Sequence, residues 1–496
     1  MRFTYIIIAA AVSSAVLSAS VFAQSIQTYE RSDLNDKDKE RVRKITALTT
    51  SFEKAEKYEA MQGGAGTSKS PLDRNAFSQP QSNISFADRE QFNLGNGLFR
   101  KFWVSSPATT QVSDGLGPFF NARSCQSCHV KDGRGNLPAD GEAASPFFLQ
   151  LGWYDSDAGH WVNDPIYGKQ LQTVAVPGLK AEAVVNISYT PEPVEFADGE
   201  QIVLRKPHYS LSDLAYGAMD ERSQLAPKVA PQMVGMGLLA AIADEDILAN
   251  EDPDDRDGDG VSGRASRVTE GQNTRLGRFG LKAAMPGVRE QSAAAFAGDM
   301  GLSNSLHPSN SGECTDKQSV CLQAPHGEQA RLGAHEVPDP LLDLVTFYSN
   351  NLALPVRRDV SDAQVLQGKS LFYGANCTAC HVPKYVTSRL ADDKQHQFQL
   401  IWPYTDMLLH DMGEGLADGL GHNSGANGRE WRTPPLWGIG LTKTVNERAT
   451  FLHDGRANTL LEAIMWHGGE AEPAKESVRQ MSASDRAALI KFLESL

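Results

Sequence analysis

Apolar positions along the chain fall at helical spacing in a few well-separated places. Ser85 precedes a run carrying Phe86, Phe92, Leu94, Leu98 and Phe99, which predicts an N-capped helix with one apolar face. Helical periodicity returns from Met233 to Leu248. Ser361-x-x-Gln364 reads as a capping box opening a helix that runs to Phe372. At the far end Leu489, Phe492, Leu493 and Leu496 stand at i, i+3, i+4 and i+7, a single apolar stripe. Between about 130 and 230 the pattern changes. Short β-prone runs, Gln172–Val176 and Glu182–Ile187, alternate with Gly and Pro and predict strands and loops inserted in a mainly helical frame. Residues 33–58 alternate Lys, Arg, Asp and Glu with few apolar positions, the pattern of a solvated helical extension, and Met61–Ser70 reads as a Gly/Ser linker.

The first residues carry an address. Arg2, the uncharged apolar run Tyr5–Val16 and the small-residue site Val21-Phe22-Ala23 predict a signal peptide over 1–23, cleaved before Gln24. The apolar run is short for a membrane span and no second one follows, so the expected product is exported without stable membrane insertion, in a bacterium to the periplasm. With 496 residues and 41% apolar content the chain has ample material for a core. A net charge of −14 argues against nucleic acid or anionic membrane as partner, because phosphate recognition wants clustered Lys and Arg.

Six cysteines are few, and their spacing matters more than their number. Cys125-Gln-Ser-Cys128-His129 and Cys377-Thr-Ala-Cys380-His381 are both C-x-x-C-H. That spacing lets two thiols add to the vinyl groups of one haem while the adjacent imidazole ligates its iron. The alternatives are a redox dithiol, which seldom has His directly after it, and a structural zinc half-site, which wants four ligands in closed pairs. Two covalent c-type haems are therefore expected, with His129 on the first iron and His381 on the second. Cys314 and Cys321 enclose a short polar loop, read as a local disulfide in an oxidising compartment. Asp255, Asp257 and Asp259 followed by Gly260 match the first half of an EF-hand calcium loop, but position twelve is Ser266 rather than Glu. Calcium and a plain acidic turn both remain open readings.

Two resemblances follow from these residues. Gly368-x-x-x-Phe372 ahead of the second motif, together with the C-terminal apolar stripe, resembles the helix crossing of class I cytochromes c. Gly115-Leu-Gly-Pro-Phe-Phe-Asn-Ala-Arg-Ser ahead of Cys125, Trp431-Arg-Thr-Pro-Pro-Leu-Trp437, and Phe451-Leu-His-Asp-Gly-Arg-Ala457 resemble segments of the di-haem oxidoreductase family. That family is related to bacterial di-haem cytochrome c peroxidases and to MauG. The resemblance implies an active-site Gln at Gln291, an active-site acid at Asp299, and a distal ligand of the second haem at His467, with Met412 its main rival. His453 matches a structural hydrogen-bonding residue at the turn before that helix. Leu281 stands where the relatives carry an inter-haem Trp, Ala295 falls where they carry Pro, and the spacing from Gln291 to Asp299 is two residues shorter than theirs. No His follows His129 closely, His160 being the nearest, so the first iron is expected to have one protein ligand.

The expected architecture is mainly α, with two cytochrome c-like haem domains and a β-containing irregular insertion in the first. Its expected boundaries are 24–84 for the charged extension and linker, 85–310 for the first haem domain, 311–338 for the disulfide-closed linker and 339–496 for the second haem domain. The expected function is a periplasmic oxidoreductase that reduces hydrogen peroxide, or another small oxidant, at the first haem. The second haem would pass electrons from a small cytochrome or cupredoxin. A non-catalytic electron carrier, and an oxygenase or protein-modifying oxidase in the manner of MauG, are the alternatives.

Overall fold

The computed structural model describes residues 30–139, 146–329, 331 and 333–496, so the expected signal peptide over 1–23 lies outside the described residues. The six longest helices are α1 (Asp36–Thr46), α2 (Phe86–Arg100), α3 (Val288–Met300), α4 (Asp339–Asn350), α5 (Ala363–Gly374) and α6 (Ala483–Ser495). The longer strands are β1 (Phe147–Asp155), β2 (Val184–Glu195), β3 (Gln201–Ser212) and β4 (Gln224–Val229).

These elements overturn the expected fold class. The chain is 28% helical and 17% strand, and the described strands form six small sheets, so it is not mainly α with two cytochrome c-like domains. The physical reason lies between the helices. Long stretches rich in the 43 Gly and 25 Pro cannot continue a helix. Their backbone groups are satisfied instead in short antiparallel pairs and turns.

The local helix signals mostly hold. Ser85 caps α2 in a capping box with Asp88, and Phe92 and Phe99 are buried while Phe86 and Leu94 face outward. For α5 the cap is Asp362 rather than Ser361: its carboxylate accepts from the amides of Gln364 and Val365. The periodic stretch from Met233 to Leu248 breaks into two short helices, Met236–Ala240 and Asp244–Leu248. Leu489, Phe492, Leu493 and Leu496 are all buried, and α6 crosses α5 where Gly368 meets the Ala488 backbone and Phe492. In the same way α2 crosses α4 at Gly95, against the Leu344 backbone and Tyr348. Removing the Cβ at each crossing is what lets the backbones approach.

β1 pairs antiparallel with both His160–Val162 and β4, and β2 and β3 form one long hairpin registered from Val184↔Ser212 to Glu195↔Gln201. One end of that hairpin packs Val185, Ile187, Tyr209 and Leu211 on the β1 core, around Phe147 and Leu149. The other end packs Phe196 and Leu204 into the apolar cluster of α5 and α6. A third cluster joins Phe77, Val234 and Leu238 to Tyr385, Ile401 and Trp437.

The charged N-terminal stretch forms the expected helix, α1, with most of its residues exposed, and it docks through one side. Val42 of α1 is buried with Leu34 against Val386, and Arg31 Nη1 donates to the Val386 carbonyl at 2.8 Å. The Gly/Ser stretch is equally tied down, with the Ser68 amide donating to the Leu354 carbonyl at 2.8 Å.

Candidate functional site

Cys125–Cys128 forms one helical turn, capped by Ser124, whose hydroxyl accepts from the Ser127 amide at 3.2 Å. His129 leaves that turn, and the chain is swung away by Lys131 and Asp132, both at positive φ. The His129 ring is held by one bond: Nδ1 donates to the Pro231 carbonyl at 2.7 Å. A carbonyl can only accept, so the proton sits on Nδ1 and Nε2 is left as the lone-pair nitrogen. Burial lowers the His129 pKa to about 4, which keeps the ring neutral as a metal ligand must be.

The second motif repeats the device. Cys377–Ala379 is a 3₁₀ turn, and His381 Nδ1 donates to the Tyr404 carbonyl at 2.9 Å, with its pKa also lowered to about 4 by burial. His467 follows the short helix Leu460–Met465, and its Nδ1 donates to the Ala463 carbonyl at 2.8 Å. It stands near enough to His381 that its charge would further depress the His381 pKa. Three imidazoles thus present Nε2 through the same kind of lock. Met412 packs in the same apolar cluster, and its carbonyl faces Gly468. Beside Cys380, His410 is clamped at 2.7 Å by Asp406 on Nε2 and by Glu470 on Nδ1, and the Asp406 carboxylate with the Cys380 sulfur raises its pKa well above the usual value against the effect of burial. A buried imidazolium therefore stands 3.6 Å from the Cys380 sulfur.

The donor chemistry fits covalent haem better than either alternative. Neither C-x-x-C pair is bridged, and burial pushes the Cys125 and Cys377 thiols up to about 12. A redox dithiol needs the opposite shift. Among the described residues neither pentapeptide gathers a three-donor metal cluster, as zinc would require.

On α3 the buried positions Ala293, Phe296 and Met300 face α2 and α4. Gln291, Ala295 and Asp299 lie on the remaining side, half-buried. Eight residues of helix separate Gln291 from Asp299 by about 12 Å, so they share a side without touching. The Gln291 amide oxygen lies 3.4 Å from where a Cβ on Gly280 would stand. Asp299 is at the first-motif end: its carbonyl accepts from the Asn121 and Ala122 amides, and its charge raises the Cys125 thiol pKa. Its Oδ1 accepts from Gln170 Nε2 at 2.7 Å, and burial pushes the carboxyl up to about 6.

Several neighbours were not legible in the sequence. Arg432 N–H donates to the Leu281 carbonyl at 3.0 Å, so Trp431 enters beside Leu281. The Trp431 ring stacks on His453 with centroids 3.7 Å apart, and Lys228 and Lys282 sit 4.4 and 3.9 Å from its centre. Burial and these cations hold His453 neutral. Its Nε2 is buried without a partner, so the ring contributes stacking rather than a hydrogen bond through that atom. Only the tryptophan motif itself was a signal. His160 is exposed on its strand.

Cys314 and Cys321 are joined in a disulfide. The carboxylates of Asp255, Asp257 and Asp259 converge within 4.8 Å, but oxygens of all three accept amides of their own turn. Calcium takes six to eight oxygens, so these carboxylates would need carbonyls or waters beside them to hold it.

A family described as "di-haem oxidoreductase, putative peroxidase" matches the chain over residues 57–149 and 173–496. No curated protein matches it.

Proposed function

The chain belongs to the di-haem oxidoreductase family, and from that premise we propose that it is an exported c-type protein that reduces hydrogen peroxide at the first haem and takes electrons in through the second. Cys125 and Cys128 would hold the first haem, with His129 Nε2 on its iron. Cys377 and Cys380 would hold the second, between His381 and His467. Each haem, when bound, supplies an iron that exchanges single electrons, and an iron with a free axial position binds small oxidants. The observation that carries the reading is the asymmetry of the two sites. The second motif has a further neutral imidazole close by, whereas the first has the acid of α3.

The protein's own groups have distinct tasks. Asp299 Oδ1 is committed to Gln170, which leaves Oδ2 to take a proton from the inner oxygen of peroxide and return it to the outer one. Its raised pKa places that exchange near neutral pH. The Gln291 amide would orient the substrate by donating a hydrogen bond. Around the second haem, burial of His381 and His467 keeps both rings neutral and able to ligate. Electrons would come from a small cytochrome or cupredoxin in the periplasm, and reduction of one peroxide to two waters consumes two electrons and two protons.

Low-temperature EPR of the oxidised holoprotein, before and after stoichiometric peroxide, tests this. One high-spin haem lost on addition of peroxide, beside one low-spin bis-imidazole haem, is the expected result. Two low-spin signals indifferent to peroxide, also after half-reduction, would overturn it and leave an electron carrier.

A further inference from the structure

One chain of hydrogen bonds runs from the segment that holds His381 to the segment that carries His467. It begins at Tyr404, whose carbonyl accepts from His381 Nδ1 at 2.9 Å. Two residues on, the Asp406 amide donates to the Cys380 carbonyl at 2.9 Å. The Asp406 carboxylate accepts from His410 Nε2 at 2.7 Å, and His410 Nδ1 donates onward to Glu470 Oε2, also at 2.7 Å. Asp406 and His410 are both buried. Glu470 lies three residues beyond His467.

Glu470 is gripped at both oxygens. Oε2 also accepts from the Ser262 amide, and Oε1 accepts from the Ser262 hydroxyl and the Asp411 amide, each at 3.0 Å. The turn between His467 and Glu470 lies directly on the backbone that follows His410. A Cβ on Gly469 would collide with the Asp411 carbonyl, and one on Gly468 would stand 3.0 Å from the Met412 carbonyl oxygen. On the other side, a Cβ on Gly263 would meet His410 Cε1 at 2.6 Å, so the ring is wedged in place. His467 itself bonds within its own turn, from Nδ1 to the Ala463 carbonyl and from its amide to the Ile464 carbonyl. Those bonds orient the ring on its helix and leave open where the helix end sits against the second motif. Upstream the helix is held by apolar packing of Leu460, Met465 and Trp466, which is non-directional. Directional hold comes from Glu470.

We propose that Asp406, His410 and Glu470 form a latch across the second haem site, positioning residues that tie the His467 turn to the His381 side and so keep His467 as the sixth ligand of that iron. The inference rests on His467 ligating the second iron. A histidine that donates from both nitrogens is an imidazolium, so both links of the latch are charge-assisted, the strong and directional kind. Truncating Glu470 removes the bonds from His410, Ser262 and Asp411 together. It leaves the bond from His381 to Tyr404 and the bond from Asp406 to Cys380 as they are. The two axial positions therefore respond differently: the His381 side stays, and the His467 side is released.

The test is low-temperature EPR of the oxidised holoprotein for wild type, Glu470→Ala and His467→Ala, with the covalent haem count read by mass. Glu470→Ala is expected to keep two attached haems and an unchanged first-haem signal. Its second haem should lose the low-spin bis-imidazole signal to a high-spin one, and added imidazole should restore a low-spin signal. His467→Ala should behave in the same way. A low-spin signal intact in Glu470→Ala but lost in His467→Ala sinks the latch and leaves the ligand assignment standing. An intact low-spin signal in His467→Ala removes His467 as the ligand, and the latch with it. Altered signals from both haems in Glu470→Ala would mark a general structural role and equally overturn the inference. Should Glu470→Ala not fold, Gly263→Ala presses a methyl group on His410 and keeps both carboxylates. It is expected to turn part of the second haem high-spin, and a fully low-spin second haem counts against the latch.

Discussion

At the residue scale one device recurs. His129, His381 and His467 each spend Nδ1–H on a backbone carbonyl, of Pro231, Tyr404 and Ala463 respectively. A carbonyl partner fixes tautomer and ring orientation together, and it is the usual outer-shell arrangement of a ligating imidazole. His410 shows the contrast: with Asp406 and Glu470 on its two nitrogens it is held protonated and has no lone pair to offer. If His467 ligates the second iron, His467→Met should keep that haem low-spin and raise its reduction potential, because thioether ligation favours the reduced iron. Met412→Leu should leave the potential alone. Spectroelectrochemical titration decides it, and the opposite pattern would transfer the ligand role to Met412.

At the element scale two helix crossings frame the motifs, α2 on α4 and α5 on α6, and each is made at a glycine. A Cβ on Gly368 would collide with the Ala488 carbonyl, which neither a rotamer change nor a flexible side chain can relieve. Gly368→Ala is therefore expected to cost about 1–3 kcal/mol in urea unfolding of the holoprotein. Gly374, near the end of the same helix, has open space around its Cβ position, and Gly374→Ala should be neutral or mildly stabilising. Equal midpoints for the two variants would mean that the α5–α6 approach is looser than the structure has it.

At the scale of the whole molecule, buried acids make stability depend on pH. Glu182 is 1% exposed, accepts from the Gln172 amide and from Gln318, and is pushed by burial from 4.5 up to about 8. A carboxyl raised on folding binds its proton more tightly in the native state, so its contribution is complete below the unfolded pKa and is lost as pH rises through the folded one. Glu313 and Glu336, both near 7, act in the same direction. Below about 6.5 the buried histidines oppose them: His396 and His422, lowered to about 4, gain stability as pH rises to their unfolded value. The clean window is thus pH 6.5 to 8, where stability should fall by roughly 1.4 kcal/mol per pH unit for each proton so held. Glu182→Gln, which keeps a neutral side chain of the same shape, should flatten the fall in unfolding midpoints across that window. An unaltered slope would show that Glu182 is ionised in the folded protein.

What the sequence determined by itself is local. The two C-x-x-C-H turns, the cap at Ser85, the C-terminal apolar stripe and the Cys314–Cys321 pairing each depend on residues within about two helical turns of one another. Spacing along the chain is then nearly spacing in space. Covalent haem attachment would need nothing more, which is why the two C-x-x-C-H motifs can be read without a fold. The fold class could not be, because periodicity marks the helices but is silent on how Gly- and Pro-rich connections satisfy their backbone groups, and here they do so in small sheets. Nor could the pocket beside α3. Gln170 reaches Asp299 across 129 residues, and Trp431 enters beside Leu281 through a backbone bond that any side chain could have made. Burial and proximity decide protonation and hence chemistry, and both are properties of the packed molecule.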